Sequence, residues 1–312
     1  MMYRFSFVLA TVLLVFHSCK SSQENKETPP TSIETENLNY IISGYSHDTR
    51  LKEVSGIVKS LRFPSHFWVH NDSGDDPIIF RVNDSLEIVQ EVLVEGAQNI
   101  DWEDISIGKF EGEFTLFIGD IGDNLAARNT VVIYLVKEPE SNATNVRIKR
   151  KIELAYEDGA RDAELLLVDS SSNELVVATK RDIPSRIYSV SLDAKETTAS
   201  LTFEGELKLP NNQSWEQNDL YRNTGGDASP KGEIIIKNYQ GVFHYTPVSD
   251  RSFKDRLVND IPTQLYYKPE LQGEAIALDH NGYWVTSECA DDGKKHIPQP
   301  LYFYPDFIEI VH

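Results

Sequence analysis

Cysteine is scarce in this chain: two in 312 residues, Cys19 and Cys289. If Cys19 is consumed by the N-terminal modification argued below, Cys289 has no disulfide partner. Cys289 then reads as a partly buried small residue; a catalytic thiol is the weaker alternative, with His296 its only evident histidine neighbour. Basic charge is also short. There are 30 Lys and Arg against 49 Asp and Glu, a net charge of −19 and an isoelectric point near 4.8. That balance argues against nucleic acid, or an anionic membrane surface, as a partner of the protein body, and favours a cation or a cationic partner. There is no C-x-x-C pair, dinucleotide fingerprint or nucleophile elbow, so redox and covalent-nucleophile chemistry have little support. No stretch sustains an apolar period of 3.6 residues, which removes a helical architecture.

Hydrophobic content is an ordinary 40%, enough for a real core. The one continuous apolar run near the N-terminus, Phe5 to Phe16 after Arg4, has the shape of a secretory n-region and h-region and is short for a membrane span. Ser18-Cys19 follows and resembles a bacterial lipobox, with Phe16 and His17 departing from its usual residues. Residues 1–19 are therefore expected to be a signal peptide with Cys19 as the lipidation site. Residues 20–37, polar, acidic and Pro-containing, are expected to be a disordered tether. The folded domain is expected over 38–312, exported to the bacterial cell envelope and held at the membrane by lipid on Cys19.

Five short runs share one character: "IFRV" (79–82), "IYLV" (133–136), "IYSV" (187–190), "VFHY" (242–245) and "LYFY" (301–304). They begin 54, 54, 55 and 59 residues apart. Upstream of each lies a second strand-like run ending in a polar group: "FWVHND" (67–72), "LFIGD" (116–120), "LVVATK" (175–180), "EIIIKN" (233–238) and "YWVTSE" (283–288). Upstream again lies a third: "VSGIV" (54–58), "DWEDIS" (101–106), "DAELLLV" (162–168), "GGDAS" (225–229) and "GEAIAL" (273–278). β-Branched and aromatic residues fill these runs, and Asp169–Asn173 and Asp279–Gly282 read as hairpin turns. A fixed repeat of short strands predicts an all-β fold, a β-propeller of four-stranded antiparallel blades. Five blades are the preferred count. Six is the alternative, with a degenerate blade in 191–224. "NYIISGY" (39–45) is expected to supply an outer strand that closes the ring.

If the first run of each unit lines the axis, aligning the runs brings Glu103, Glu164, Asp227 and Glu274 together, with Ser55 in the first unit. Carboxylates gathered this closely need a counter-charge. Oxygen donors without His or Cys suit a divalent ion such as Ca²⁺, preferred here, or Mg²⁺. The second runs add Asn71, Asp72, Asp120, Lys180, Lys237, Asn238 and Glu288 to the same rim. Lys180, Arg181 and Lys237 offer the alternative that ion pairs neutralise the ring without a metal. "HNDSGDD" (70–76) and "GDIGDN" (119–124) look like calcium loops but lack EF-hand spacing and read more simply as tight turns. Arg128 and Arg161 are placed to orient neighbouring acidic groups, and Asp101 and Asp162 to cap turns. Trp68, Trp102, Trp215 and Trp284 read mainly as core residues.

The strings "EVSGI", "WVHNDSGDDPIIFRV", "DWEDISIG", "LFIGDIGDN", "YEDGARDAELLLVD", "ATKR" and "LQGEAIA…VTSE" resemble a poorly characterised family of secreted bacterial β-propeller proteins, over most of residues 50–304. The pattern is more distantly similar to SdiA-regulated propellers and esterase-like phytase domains, and the axial acidic ring to gluconolactonase/regucalcin propellers, which use a central divalent metal to hydrolyse sugar lactones. The chain departs from the family at "KNY" (237–239), where an Arg-Thr-Tyr-like string is more usual. The resemblance implies the fold; it leaves function between two classes. One is a binding or scaffolding module whose rim takes a glycan, a protein or a small anionic ligand. The other is a metal-dependent hydrolase of a lactone, ester or phosphoester, with Asp120, Lys180 and Arg181 as candidate catalytic residues.

Overall fold

A computed structural model of the chain describes residues 39–196, 198–210, 219–270, 272–291 and 296–307. Cys19, the tether and Trp215 lie outside the described residues. The fold is nearly all-β and propeller-like. Its strands group by antiparallel pairing into five sets of four and one short separate pair. The first set is β2 (Val54–Lys59), β3 (His66–Asn71), β4 (Ile78–Asn83) and β5 (Ile88–Glu95). The second is β6 (Trp102–Phe110), β7 (Glu113–Asp120), β8 (Val131–Lys137) and β9 (Asn145–Tyr156). The third is β10 (Ala163–Asp169), β11 (Glu174–Thr179), β12 (Arg186–Ser191) and β13 (Thr198–Glu206). The fourth is β14 (Asn223–Ala228), β15 (Ile234–Asn238), β16 (Val242–Tyr245) and β17 (Thr263–Leu265), with the helix α1 (Phe253–Asn259) between its last two strands. The fifth is β18 (Gly273–Asp279), β19 (Gly282–Ser287) and β22 (Gln299–Pro305), completed by β1 (Ile41–Ser46) from the start of the domain; between β19 and β22 the short β20 (Ala290–Asp291) and β21 (His296–Ile297) pair with each other. The described part of 191–224 thus supplies β13, the outer strand of the third set. The long β9 also pairs in parallel with β5 and β13, tying three outer edges together.

The first strands lie side by side in order: β2 on β6, β6 on β10, β10 on β14, β14 on β18, and β18 back on β2. Five apolar clusters fill the spaces between neighbouring sets. Alternate residues of one strand feed two of them: Leu166 and Val168 face the second set, while Leu165 and Leu167 face the fourth. A strand buried on both faces has no polar alternation to keep, which is why "LLLV" (165–168) and "III" (234–236) read as unbroken apolar runs. The expected hairpins form, Asp169 pairing with Glu174 and Asp279 with Gly282. Trp68 and Trp102 are fully buried, and Trp284 packs against the rings of Phe67 and Phe303. The glycine of "VSGIV" has a steric reason: a Cβ on Gly56 would collide with the imidazole of the buried His70 on β3.

Candidate functional site

Each first strand carries the same irregularity. Its pairing with the second strand skips one residue at the second position: Ser55, Glu103, Glu164, Thr224 and Glu274. Such a bulge re-aims one side chain without breaking the sheet. The three glutamates converge, each offering a carboxylate oxygen within 4.8 Å of the others, and all three are buried. The two hydroxyl residues serve their neighbours. Ser55 donates to the carbonyl of Trp102 at 3.0 Å and to that of Glu103, and Thr224 donates to the carbonyl of Gly273 at 3.1 Å. Both therefore fix the backbone that carries a glutamate in the next set.

Asp227 is not among the converging groups. It is the fifth residue of β14, and its carboxylate accepts the backbone N–H groups of Ala228 and of Leu278 on the adjacent first strand, both at 2.8 Å. Asp104 does the same between the second and third sets, accepting from Ile105 at 2.9 Å and Leu166 at 2.8 Å. These aspartates join first strands; they do not face the glutamates. The bulge residue of the fourth set is Thr224. Replacing Asp227 by alanine is expected to leave two buried donors unpaired and to cost about 2–4 kcal/mol in urea unfolding, while leaving unchanged any divalent cation that metal analysis finds on the glutamates. A folded Asp227→Ala variant that lost its cation would return Asp227 to the glutamate cluster.

The residues just past the second strands surround the glutamates. Lys180 forms an ion pair with Glu164 and lies 3.6 Å from Glu274. The Tyr239 hydroxyl donates to Glu274 at 2.5 Å, and the Lys180 ammonium sits 5.9 Å from the Tyr239 ring. Asp72 and Glu288 hold the equivalent places in the first and fifth sets. Burial pushes Glu103 and Glu164 well above the ordinary glutamate range, neighbouring carboxylates add to it, and Lys180 only partly opposes it. Burial, then Asp101 and Glu274, lifts Asp72 to about 6. Burial, then Glu274 and Asp72, lifts Glu288 to about 8. Burial works against the Lys180 ammonium, but Glu164 and Glu274 outweigh it and hold its pKa above the usual lysine range.

Lys237 lies behind this cluster, fully buried, with its ammonium bonded to the carbonyl of Gly273 and 4.9 Å from the Tyr267 ring; burial lowers it to about 8. Asn238 turns back to accept from Gly241 at 2.7 Å, and Asn71 bonds Asp75 at 2.7 Å. Two of the candidate catalytic residues are tied elsewhere. Asp120, fully buried, pairs with Arg128 at 2.8 Å, and Arg181 pairs with Asp162 at 2.6 Å and bonds Asn124. Asp162 also accepts the backbone N–H of Asp123 at 2.8 Å, and Asp123 accepts those of Ala127 and Arg128, so "GDIGDN" is organised as a turn. Arg161 pairs with Asp158 and Asp182. Cys289 packs near the Leu51 carbonyl at 3.5 Å, and the thiol is pushed up by burial.

The cluster is therefore three buried carboxylates that can act as donors, with a tyrosine hydroxyl and one lysine ammonium bonded to them. Lys180 engages only one oxygen of Glu164; the other, Oε2, is buried without a hydrogen-bond partner. An orphaned carboxylate oxygen inside a cluster of like charges has the chemistry that a hard cation prefers.

No protein-family model matches the chain, and no curated protein does. Solved structures of similar fold exist. The major allergen Mala s 1 of Malassezia sympodialis superposes with a TM-score of 0.52 at 11% identity, over 84% of this chain and 97% of that one. A luciferin-regenerating enzyme has a TM-score of 0.42 at 12% identity, over 83% of this chain and 82% of its own. A putative gluconolactonase also has 0.42 at 12%, over 79% and 73%. At such identities the likeness concerns the fold alone.

Proposed function

We propose that this chain is a closed five-bladed propeller over residues 38–312 that binds a divalent cation at the mouth of its axis and uses that end to hold a ligand at the cell envelope, with lipid on Cys19 as the anchor. The observation that carries the reading is the convergence of Glu103, Glu164 and Glu274, three buried carboxylates from three first strands, on one point that retains an unpaired oxygen. Pairing of β1 with β22 and the contact of β18 with β2 support the closed ring. Ca²⁺ is preferred to Mg²⁺ because the donors come from three different strand sets, β6, β10 and β18, and all are carboxylates, which suits a large ion with flexible coordination better than a strict octahedron. A bound cation would offer its open side to an oxygen-rich anionic or polyhydroxyl ligand, a glycan or an acidic group of a protein. Lys180, Tyr239 and the bulge backbone would fix the carboxylates around it.

The test is metal analysis of the purified domain beside Glu164→Ala. About one equivalent of divalent ion lost from a folded variant is the expected result. Equal content in both proteins, or none in either, would overturn the reading and leave Lys180 as the counter-charge.

One observation favours a second reading, a hydrolase of a lactone, ester or phosphoester. The half-buried Glu288 follows β19 beside the cluster, and burial, then Glu274 and Asp72, lifts it to about 8; a carboxyl raised in this way at the edge of a cation site is the kind of group a hydrolase uses as general acid. Turnover on any substrate of that panel with added Ca²⁺ or Mg²⁺, lost in Glu288→Gln, would establish it. A panel without turnover leaves the binding module.

A further inference from the structure

The glutamate cluster is half of a larger arrangement. A second triad, Asp72, Asp101 and Glu103, also brings one oxygen from each residue within 4.8 Å of the others. Asp72 follows β3, Asp101 precedes β6, and Glu103 belongs to both triads. We infer that the axial mouth holds two divalent cations bridged by the Glu103 carboxylate, an inner one on Glu164 and Glu274 and an outer one on Asp72 and Asp101. The inference rests on the inner site proposed above.

Three observations carry it beyond a cluster of acids. First, Glu103 is 4% exposed, belongs to both triads, and is in no ion pair with a basic side chain among the described residues. A buried carboxylate shared by two pairs of other carboxylates, with no basic partner, suits an ion on either side of it. Second, counter-charge is distributed unevenly. Lys180 answers Glu164 and Glu274, whereas among the described residues no lysine or arginine forms an ion pair with Asp72 or Asp101. Arg128, whose charge acts on Asp101, is committed to Asp120 at 2.8 Å, and Lys180, whose charge acts on Asp72, is committed to Glu164. The outer triad thus has the greater need of an external cation. Third, the chain keeps this place clear: a Cβ on Gly122 would collide with both the Glu103 and the Asp101 carboxylates. Glycine there lets backbone pass against the acids without a side chain entering between them.

The chemistry of the ligand follows. All donors are carboxylate oxygens, so the ions are hard and divalent, Ca²⁺ or Mg²⁺. Sites that share one carboxylate hold their ions roughly 3.5–4 Å apart, a spacing suited to a ligand with two adjacent anionic oxygens, such as a carboxylate or a phosphoryl group.

The experiment is Ca²⁺ titration by calorimetry, with ion counting by native mass spectrometry, on the chelator-treated domain. Four proteins are compared: wild type, Asp72→Asn/Asp101→Asn, Glu164→Ala and Glu103→Gln. Asp72 and Asp101 are only half-buried, so their carboxamide replacements keep shape and fold. The expected counts are two ions in wild type, one in the double aspartate variant and one in Glu164→Ala, with both binding steps weakened in Glu103→Gln. One ion in wild type that survives in Asp72→Asn/Asp101→Asn and is lost in Glu164→Ala would overturn the outer site and leave the inner one standing. One ion lost from the double variant and kept in Glu164→Ala would overturn the inner site instead, and the bridged pair with it. Two ions retained in the double variant, or none in wild type, would also end the proposal.

Discussion

Replacing Lys180 by methionine is expected to lower the melting temperature of the chelator-treated protein by on the order of 10 °C, and that of the Ca²⁺-saturated protein by much less. Lys180 is the only basic side chain paired with the glutamate cluster among the described residues, bonded to Glu164 and 3.6 Å from Glu274. Methionine keeps the length and the contact with the Tyr239 ring but removes the charge. Breaking a buried pair by deleting one partner costs about 3–5 kcal/mol, because the charge left behind stays out of water. In a domain of this size each kcal/mol moves the melting point by roughly 2–4 °C. A divalent ion replaces the lost ammonium with twice its charge, so added Ca²⁺ restores most of the difference. Its affinity rises as well, because the ammonium no longer competes for Glu164. Differential scanning fluorimetry in chelator and in millimolar Ca²⁺ reads both effects. Equal losses in the two buffers would show that Lys180 is a structural ion pair and that no cation enters.

The repeat was legible because of where its strands lie. Every aromatic run marked in the sequence falls in the third strand of its set: 79–82 in β4, 133–136 in β8, 187–190 in β12, 242–245 in β16 and 301–304 in β22. Strands packed on both faces must be apolar throughout, and that constraint survives in composition. The outer strands are less constrained. β5 alternates buried and exposed residues, and β9 is largely solvated along its first half, so neither stood out. In the site, Glu103, Glu164 and Glu274 were readable because an acid breaks an apolar run at the same place in each. Asp227 was misplaced because Gly225 and Gly226 carry no side chain to show the register of β14, and an acid further along the strand took the position by pattern. Counting from the start of the strand gives Thr224 instead, since the bulged residue is the second in all five. The grouping of Asp101 with Asp72 and Glu103 depends on the closeness of β3 and β6, a relation between neighbouring sets that no local pattern reports.

A glutamine in place of Glu103 is expected to act in opposite directions in the two states. In chelator it should stabilise the fold by about 1–2 kcal/mol, because a neutral amide ends the burial of an unpaired charge beside Glu164 and Asp72. With Ca²⁺ present it should be less stable than wild type, because a carboxylate common to both triads is gone; affinity falls on the order of a hundredfold when a charged ligand is lost. The same residue sets a pH dependence. Glu103 and Glu164 are held above the ordinary glutamate range in the folded chain, so between the unfolded and folded values the native state binds more protons than the unfolded one. Their contribution is therefore fully present below the unfolded value and is lost as pH rises through the folded values. Chelated wild type should lose stability from pH 5 towards pH 8, Glu103→Gln should lose less, and saturating Ca²⁺ should flatten both curves by keeping the carboxylates ionised and paired. Urea midpoints across that range, with and without chelator, decide the matter. A wild-type curve as steep in Ca²⁺ as in chelator would mean that protons, and not a metal ion, balance the acids at the mouth of the axis.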